Sequence, residues 1–190
     1  MNVLDNDINN CLAVLQSGGN ILYPTDTVWG IGCDATNEEA VRKIFALKKR
    51  PEEKSMIILV ADEKDVLQYV ASPDLRLFDY LNKTVKPTTV IYNNVIGIAS
   101  NVLSADGSVA IRICKDEFCK HLIKRFRKPI ISTSANLSGQ PTPSLFADIS
   151  DEIKSGVDYV VQYRQADNKA STPSSIIRWN NNGTVDILRP

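Results

Sequence analysis

Asn37-Glu38-Glu39-Ala40-Val41-Arg42-Lys43-Ile44-Phe45-Ala46-Leu47-Lys48-Lys49-Arg50-Pro51-Glu52-Glu53-Lys54-Ser55-Met56-Ile57-Ile58-Leu59-Val60 reads as a helix, a cationic break and a strand, in that order. Asn37 is suited to cap, because its side-chain oxygen can accept from the backbone N–H groups that open a helix. Glu38 and Glu39 then fall in the first turn, where negative charge suits the positive end of the helix dipole. Ala40, Val41, Ile44, Phe45 and Leu47 make an apolar stripe. Pro51 has no N–H to continue the ladder, so the helix stops before it. The run from Ser55 to Val60 has the length and composition of a buried strand. Between them lies Lys48-Lys49-Arg50-Pro51-Glu52-Glu53-Lys54. Cations there suit an ordinary solvated helix end, and they also make a place for a polyphosphate beside a buried strand.

The same alternation extends outward in both directions. Ile8, Leu12 and Leu15 define a first amphipathic helix, closed by Gly18-Gly19. Ile21-Leu22-Tyr23 is a short strand followed by a polar loop. Residues 63–70 and 73–82 read as helices, the second with Ser72 as cap and Pro73 at its first position. Thr88 to Tyr92 and Val109 to Ile113 read as strands, the latter entered from an Ala-Asp-Gly turn. Phe118, Leu122, Ile123 and Phe126 form another helical stripe ahead of the strand Pro129-Ile130-Ile131. Asp158 to Val161 and a hairpin around Asn180-Asn181-Asn182-Gly183 finish the chain. This order predicts a single α/β domain over residues 1–190, a twisted mixed β-sheet with helices packed on it.

A chain of 190 residues can build one well-cored domain, with no spare length for a second of similar size. Its 43% hydrophobic and 23% charged residues are ordinary for a soluble globular protein. Lys plus Arg (22) balances Asp plus Glu (22), so bulk charge gives no drive toward nucleic acid or membranes. Any anion site must be built locally. Cys11, Cys33, Cys114 and Cys119 lack CxxC spacing, and the only histidine is His121, so the inventory predicts reduced thiols and no protein-only metal site. The N-terminal residues lack a basic n-region and a long apolar stretch, and the expected location is the cytoplasm.

Three polar segments follow strands or lead into them, where α/β folds commonly place ligands. The first, Tyr23-Pro24-Thr25-Asp26-Thr27-Val28-Trp29-Gly30, sets two threonines around an aspartate. The second is the cationic run. The third, Ser132-Thr133-Ser134-Ala135-Asn136-Leu137-Ser138-Gly139-Gln140-Pro141-Thr142, follows the strand at Pro129-Ile130-Ile131. Short hydroxyl side chains and exposed backbone N–H groups can surround an anion without bulk. With the isolated strand arginine Arg112, these segments point to a nucleotide phosphate site. Neither GxxxxGK[ST] nor GxGxxG is present, which excludes the standard P-loop and dinucleotide readings. There is no GxSxG elbow, and His121 lies on a helix whose Phe118 and Leu122 face inward, so covalent catalysis is not indicated.

In this order and spacing the segments resemble the YrdC/TsaC family of threonylcarbamoyl-AMP synthases, over nearly the whole chain. The resemblance is carried by Tyr23-Pro24-Thr25-Asp26-Thr27, by KRxxxK at Lys49, Arg50 and Lys54, and by SxN at Ser134-Ala135-Asn136. Ser108 to Arg112, Ser174-Ser175-Ile176-Ile177 and the closing Ile187-Leu188-Arg189-Pro190 add to it. It implies a YrdC-like fold with a concave, positively charged face. It implies synthesis of threonylcarbamoyl-adenylate and pyrophosphate from L-threonine, bicarbonate and ATP. Downstream proteins that transfer threonylcarbamoyl to a tRNA adenosine are the implied partners.

By the same resemblance, Lys49, Arg50 and Lys54 are the expected catalytic cations. Arg50, Lys54 and Arg189 would hold ATP phosphates, and Ser108, Ser134 and Thr142 would add hydroxyls. Asn136 would order its loop or touch a phosphate. Thr27, Arg112, Ser132 and Ser174 would hold threonine, with Arg112 pairing its carboxylate as a fork. Mg²⁺ is expected with ATP, held mainly by phosphate oxygens and water. Leu59 stands where many relatives have a histidine, Lys86-Pro87-Thr88-Thr89 replaces a Pro-Gly-Pro-x-Thr loop, and Cys114 falls in a stretch where relatives carry Arg-x-Pro. The chain resembles the short members, without a C-terminal extension domain. Two other readings stay open: a tRNA or double-stranded RNA-binding module without catalysis, and a relative transferring a different carbamoyl group.

Overall fold

The computed structural model describes residues 3–49, 56–168 and 172–190. In chain order the elements are α1 (Val3–Gln16), β1 (Ile21–Tyr23), β2 (Gly30–Gly32), α2 (Glu38–Leu47), β3 (Ile57–Val60), α3 (Glu63–Tyr69) and α4 (Arg76–Lys83). There follow β4 (Thr88–Tyr92), β5 (Val109–Ile113), α5 (Glu117–Phe126), β6 (Ile130–Ser134), α6 (Asp151–Ser155), β7 (Tyr159–Val160), β8 (Ser175–Trp179) and β9 (Val185–Arg189).

The strands form one nine-stranded mixed sheet in the order β7-β1-β2-β6-β3-β5-β4-β8-β9. The pairs β1/β7, β3/β5 and β4/β8 are parallel and the remaining neighbours antiparallel. Parallel register sets Ile57 opposite Ala110 and Leu59 opposite Arg112. Strand alternation therefore puts Ile57, Ala110 and Arg112 on one face, and Ile58 and Ile111 on the other. Ile58 and Ile111 join a core with Ile8, Leu15, Ile44, Phe118 and Leu122. Burying each such side chain contributes roughly 1.5–3 kcal/mol.

Local chemistry explains most boundaries. Asn37 caps α2 by accepting from the N–H groups of Glu39 and Ala40. Gly18 takes φ 75°, and the Gly19 N–H closes on the Val14 carbonyl at 2.9 Å, ending α1 as its sequence requires. The helix expected over 73–82 starts later. Ser72 does not cap it: Ser72 lies at φ 53°, α4 begins at Arg76, and Leu75 precedes it without a side-chain cap. Asp74 takes over instead, accepting from the Arg76 N–H at 3.0 Å and from Trp179 Nε1 on β8 at 2.9 Å.

Strand structure goes beyond the expected limits in two places. Gly30–Gly32, which begins at the last residue of the segment read as a polar loop, is β2. At Gly32 an added Cβ would sit 2.6 Å from both the Ile131 carbonyl and the Tyr23 ring, so only glycine allows this close approach. The third polar segment begins as strand: Ser132, Thr133 and Ser134 belong to β6, because β2 and β3 pair with them from both sides.

Candidate active site

On the face bearing Ile57 and Arg112, a cavity of about 290 Å³ opens across the middle of the sheet. Its walls come from β2 (Gly30), β6 (Ser132 to Ser134), β3 (Ile57), β5 (Ala110, Arg112), β4 (Ile91), β8 (Ile176) and β9 (Arg189). Thr27, Thr142 and Ser174 complete it from the adjoining loops. Of the residues singled out in the sequence, Thr27, Arg112, Ser132, Ser134, Thr142, Ser174 and Arg189 thus converge on one space. Gly30 keeps it open, since a Cβ there would lie 3.2 Å from Ser132 Oγ.

Arg112 is the centre of charge. It is 3% exposed, donates from Nη2 to Thr27 Oγ1 at 3.1 Å, and lies 3.2 Å from Asp26 Oδ1 as an ion pair. That approach satisfies the distance of a salt bridge without the alignment of a hydrogen bond, and both Asp26 Oδ1 and Arg112 Nε remain buried with no hydrogen-bond partner. A buried guanidinium that lines a cavity is suited to hold an oxyanion. Thr27 is fixed in turn by Thr25, whose Oγ1 accepts from the Thr27 N–H and lies 3.0 Å from Thr27 Oγ1.

Arg189 reaches the cavity from β9. Its Nε donates to the Ser174 carbonyl at 2.9 Å and its Nη2 to Ser174 Oγ at 3.3 Å, while Ser174 Oγ shares a 2.7 Å bond with Thr89 Oγ1. Burial, and then the like charge of Arg112, push the Arg189 guanidinium below its ordinary range. Two arginines therefore face one cavity with no carboxylate among the described residues that line it, while Asp26 pairs with Arg112 from outside the lining. The space favours an anion.

Lys48 is a residue the sequence reading passed over as part of the cationic run. It is 1% exposed, and its ammonium donates to the backbone carbonyls of Ser134 and Asn136. Its own carbonyl accepts from the Ser138 N–H at 2.8 Å. The end of α2 thus fastens the loop after β6. The signal was spacing: Lys48 lies four residues after Ile44, in line with the buried stripe. Asn136 orders the same loop, donating from Nδ2 to the carbonyls of Leu137 and Gln140.

Other sequence-predicted residues lie elsewhere. Lys49 pairs with Glu152 of α6 at 2.8 Å on the surface and does not line the cavity. Ser108 closes a turn through Asp106, its Oγ 2.6 Å from Asp106 Oδ1 and outside the cavity lining. Arg50 and Lys54 lie outside the described residues, between Lys49 and the cavity residue Met56. Leu59 is fully buried opposite Arg112 and touches no open space. A larger cleft, about 410 Å³, lies where β3 and β5 end, lined by Asp62, Glu63, Lys64, Cys114, Lys115 and Lys120 among others; none of the predicted site residues enters it.

A wide mixed sheet with an arginine-bearing, hydroxyl-lined cavity across its middle defines an α/β protein built to hold a small anionic ligand. The family model Sua5_yciO_yrdC, described as telomere recombination, matches residues 13–190, and the chain belongs to this family. A protein of Idiomarina loihiensis named threonylcarbamoyl-AMP synthase is 32% identical over 167 residues, covering 86% of this chain and 89% of that protein. Among solved structures, a variant of P. abyssi Sua5 superposes with TM-score 0.87 at 23% identity, over 96% of this chain and 56% of that one. P. abyssi Sua5 complexed with L-threonine gives TM-score 0.83 at 23% identity, over 96% and 53%. The chain therefore spans little more than half the length of the P. abyssi Sua5 chains. Among the described residues, no helix is long and apolar enough to cross a membrane, and no group of three His, Cys, Asp or Glu gathers around a common point.

Proposed function

We propose that the chain is a threonylcarbamoyl-AMP synthase, a nucleotidyltransferase acting on L-threonine, bicarbonate and ATP. The observation that carries this reading is the meeting of Arg112 and Arg189 in one cavity with Thr27, Ser132, Ser134 and Ser174, with no carboxylate among the described lining residues. Relatives named for this activity, at 32–33% identity over most of the chain, support it. The three substrates bring carboxylate, bicarbonate and triphosphate charge to one place, and the residues answer that charge.

In the proposed reaction the threonine amine attacks bicarbonate, forming a carbamate with loss of water. A carbamate oxygen then attacks the α-phosphorus of ATP, and the bond to the β-phosphate oxygen breaks, releasing pyrophosphate. Such a reaction needs placement and charge neutralisation more than a protein nucleophile. Arg112 receives the threonine carboxylate through its guanidinium, with Thr27, Ser132 and Ser174 completing the amino-acid subsite. Arg189, Ser134 and Thr142 face the nucleotide, and Arg50 and Lys54 serve its phosphates from the segment leading into β3. Lys49 and Ser108 belong to this proposal only as flanking groups. With no carboxylate among the described lining residues, Mg²⁺ would arrive on the triphosphate as part of the substrate. Residues 1–190 act as one domain, and a positively charged concave face is part of the same reading.

Mass spectrometry with ¹³C-bicarbonate tests it. Purified protein with ATP and threonine should yield an adenylate carrying one ¹³C atom. Unlabelled AMP as the only adenylate product, whether or not threonine is present, would remove the assignment.

A further inference from the structure

We infer that Arg164 is the positioning residue of the amino-acid subsite, a reading that rests on the proposed reaction. Arg164 lies outside the cavity lining, at φ 68°, a left-handed conformation that a non-glycine residue holds only when its surroundings fix it. Its guanidinium joins three segments. Nη1 donates to the Thr25 carbonyl at 3.3 Å and to Asp116 Oδ2 at 2.7 Å, and Nε donates to Asp167 Oδ2 at 2.7 Å. Asp116 is also the cap of α5, accepting from the Cys119 N–H at 3.0 Å.

The segment so gripped is the one on which Arg112 leans. Each of three consecutive residues is held from behind: the Pro24 carbonyl by Cys119 Sγ at 3.2 Å, the Thr25 carbonyl by Arg164, and Asp26 Oδ2 by the Lys115 N–H at 3.1 Å. From Thr25 the contacts run to Thr27 Oγ1 and on to Arg112. Only about 20 Å³ is left between Arg164 and Asp167 on one side and Ser144, Leu145 and Thr27 on the others. Arg164 is thus the back wall of the loop. Ser134, which pairs with Gly30 across β2 and β6, is fastened separately by Lys48. A defect at Arg164 should therefore reach threonine and spare ATP.

The test measures Arg164→Ala and Arg164→Lys beside wild type, with threonine dissociation constants from calorimetry and threonine and ATP KM values from pyrophosphate release. Arg164→Ala should raise the threonine constants about tenfold and leave the ATP KM within about twofold. Arg164→Lys keeps a cation beside Asp116 but cannot reproduce the fork, so it should fold like wild type and still bind threonine several-fold more weakly. Should the alanine variant fail to fold, the lysine variant decides. Unchanged threonine binding, or equal changes in the threonine and ATP constants, would overturn the inference. Wild type that binds no threonine would instead overturn the proposed reaction, and the inference with it.

Discussion

Arg112 and Asp26 form a pair whose two members have unequal work. The arginine is buried where it lines the cavity, and the aspartate beside it keeps that buried cation partly compensated. Asp26→Ala should therefore destabilise the fold by about 3–5 kcal/mol, because it strands a buried charge, as urea unfolding would show. Arg112→Lys keeps the charge and loses the fork. We expect it to raise the threonine KM at least about tenfold, the loss of one charge-assisted bond of about 1.5–3 kcal/mol; a wild-type value would place the carboxylate elsewhere. At this scale the sequence was legible where a polar residue interrupts an apolar strand, as Arg112 does. It was less legible where the decisive contact joins distant segments. Asp26 was visible as a member of a polar loop, but its partner on β5 was not. Lys48 and Ser108 were read by residue type, and packing gave the first to the loop after β6 and the second to its own turn.

Elements are tied together by a few buried polar contacts. Lys48 joins α2 to the loop after β6, so Lys48→Met should leave the carbonyls of Ser134 and Asn136 without their donor. A loss of about 1–3 kcal/mol in urea unfolding, with weaker ATP use, is expected. At the opposite edge, Asp7 of α1 accepts from the Tyr159 hydroxyl on β7 and from the N–H groups of Gln162 and Tyr163. Burial, then the hydrogen bond to Asp7, push the Tyr159 phenol up from 10 to about 12. A phenol that holds its proton more tightly when folded stabilises below pH 10, and that contribution is lost as pH rises through about 12. Stability measured across that window should fall less steeply in Tyr159→Phe than in wild type; identical slopes would show that the hydrogen bond carries no linkage. Helix α2 was legible because its cap and its apolar stripe agree, while the expected stop at Pro51 lies outside the described residues. The start of α4 was not, because Asp74 answers to Trp179 on β8, a partner found only after folding.

For the molecule as a whole, a net charge of zero conceals a local gathering of arginines. The mixed sheet brings Thr27, Arg112, Ser132, Ser174 and Arg189 together from the two halves of the chain, although no short motif contains more than two of them. Strand alternation and order made the α/β class readable; the nine-strand order did not follow, since β2 is too short to announce itself. The proposed reaction uses threonine, bicarbonate and ATP together. The most direct measurement is pyrophosphate release from ATP with threonine and bicarbonate supplied together and each omitted in turn. Release should appear only in the complete mixture. Equal release without threonine would contradict the assignment of this cavity.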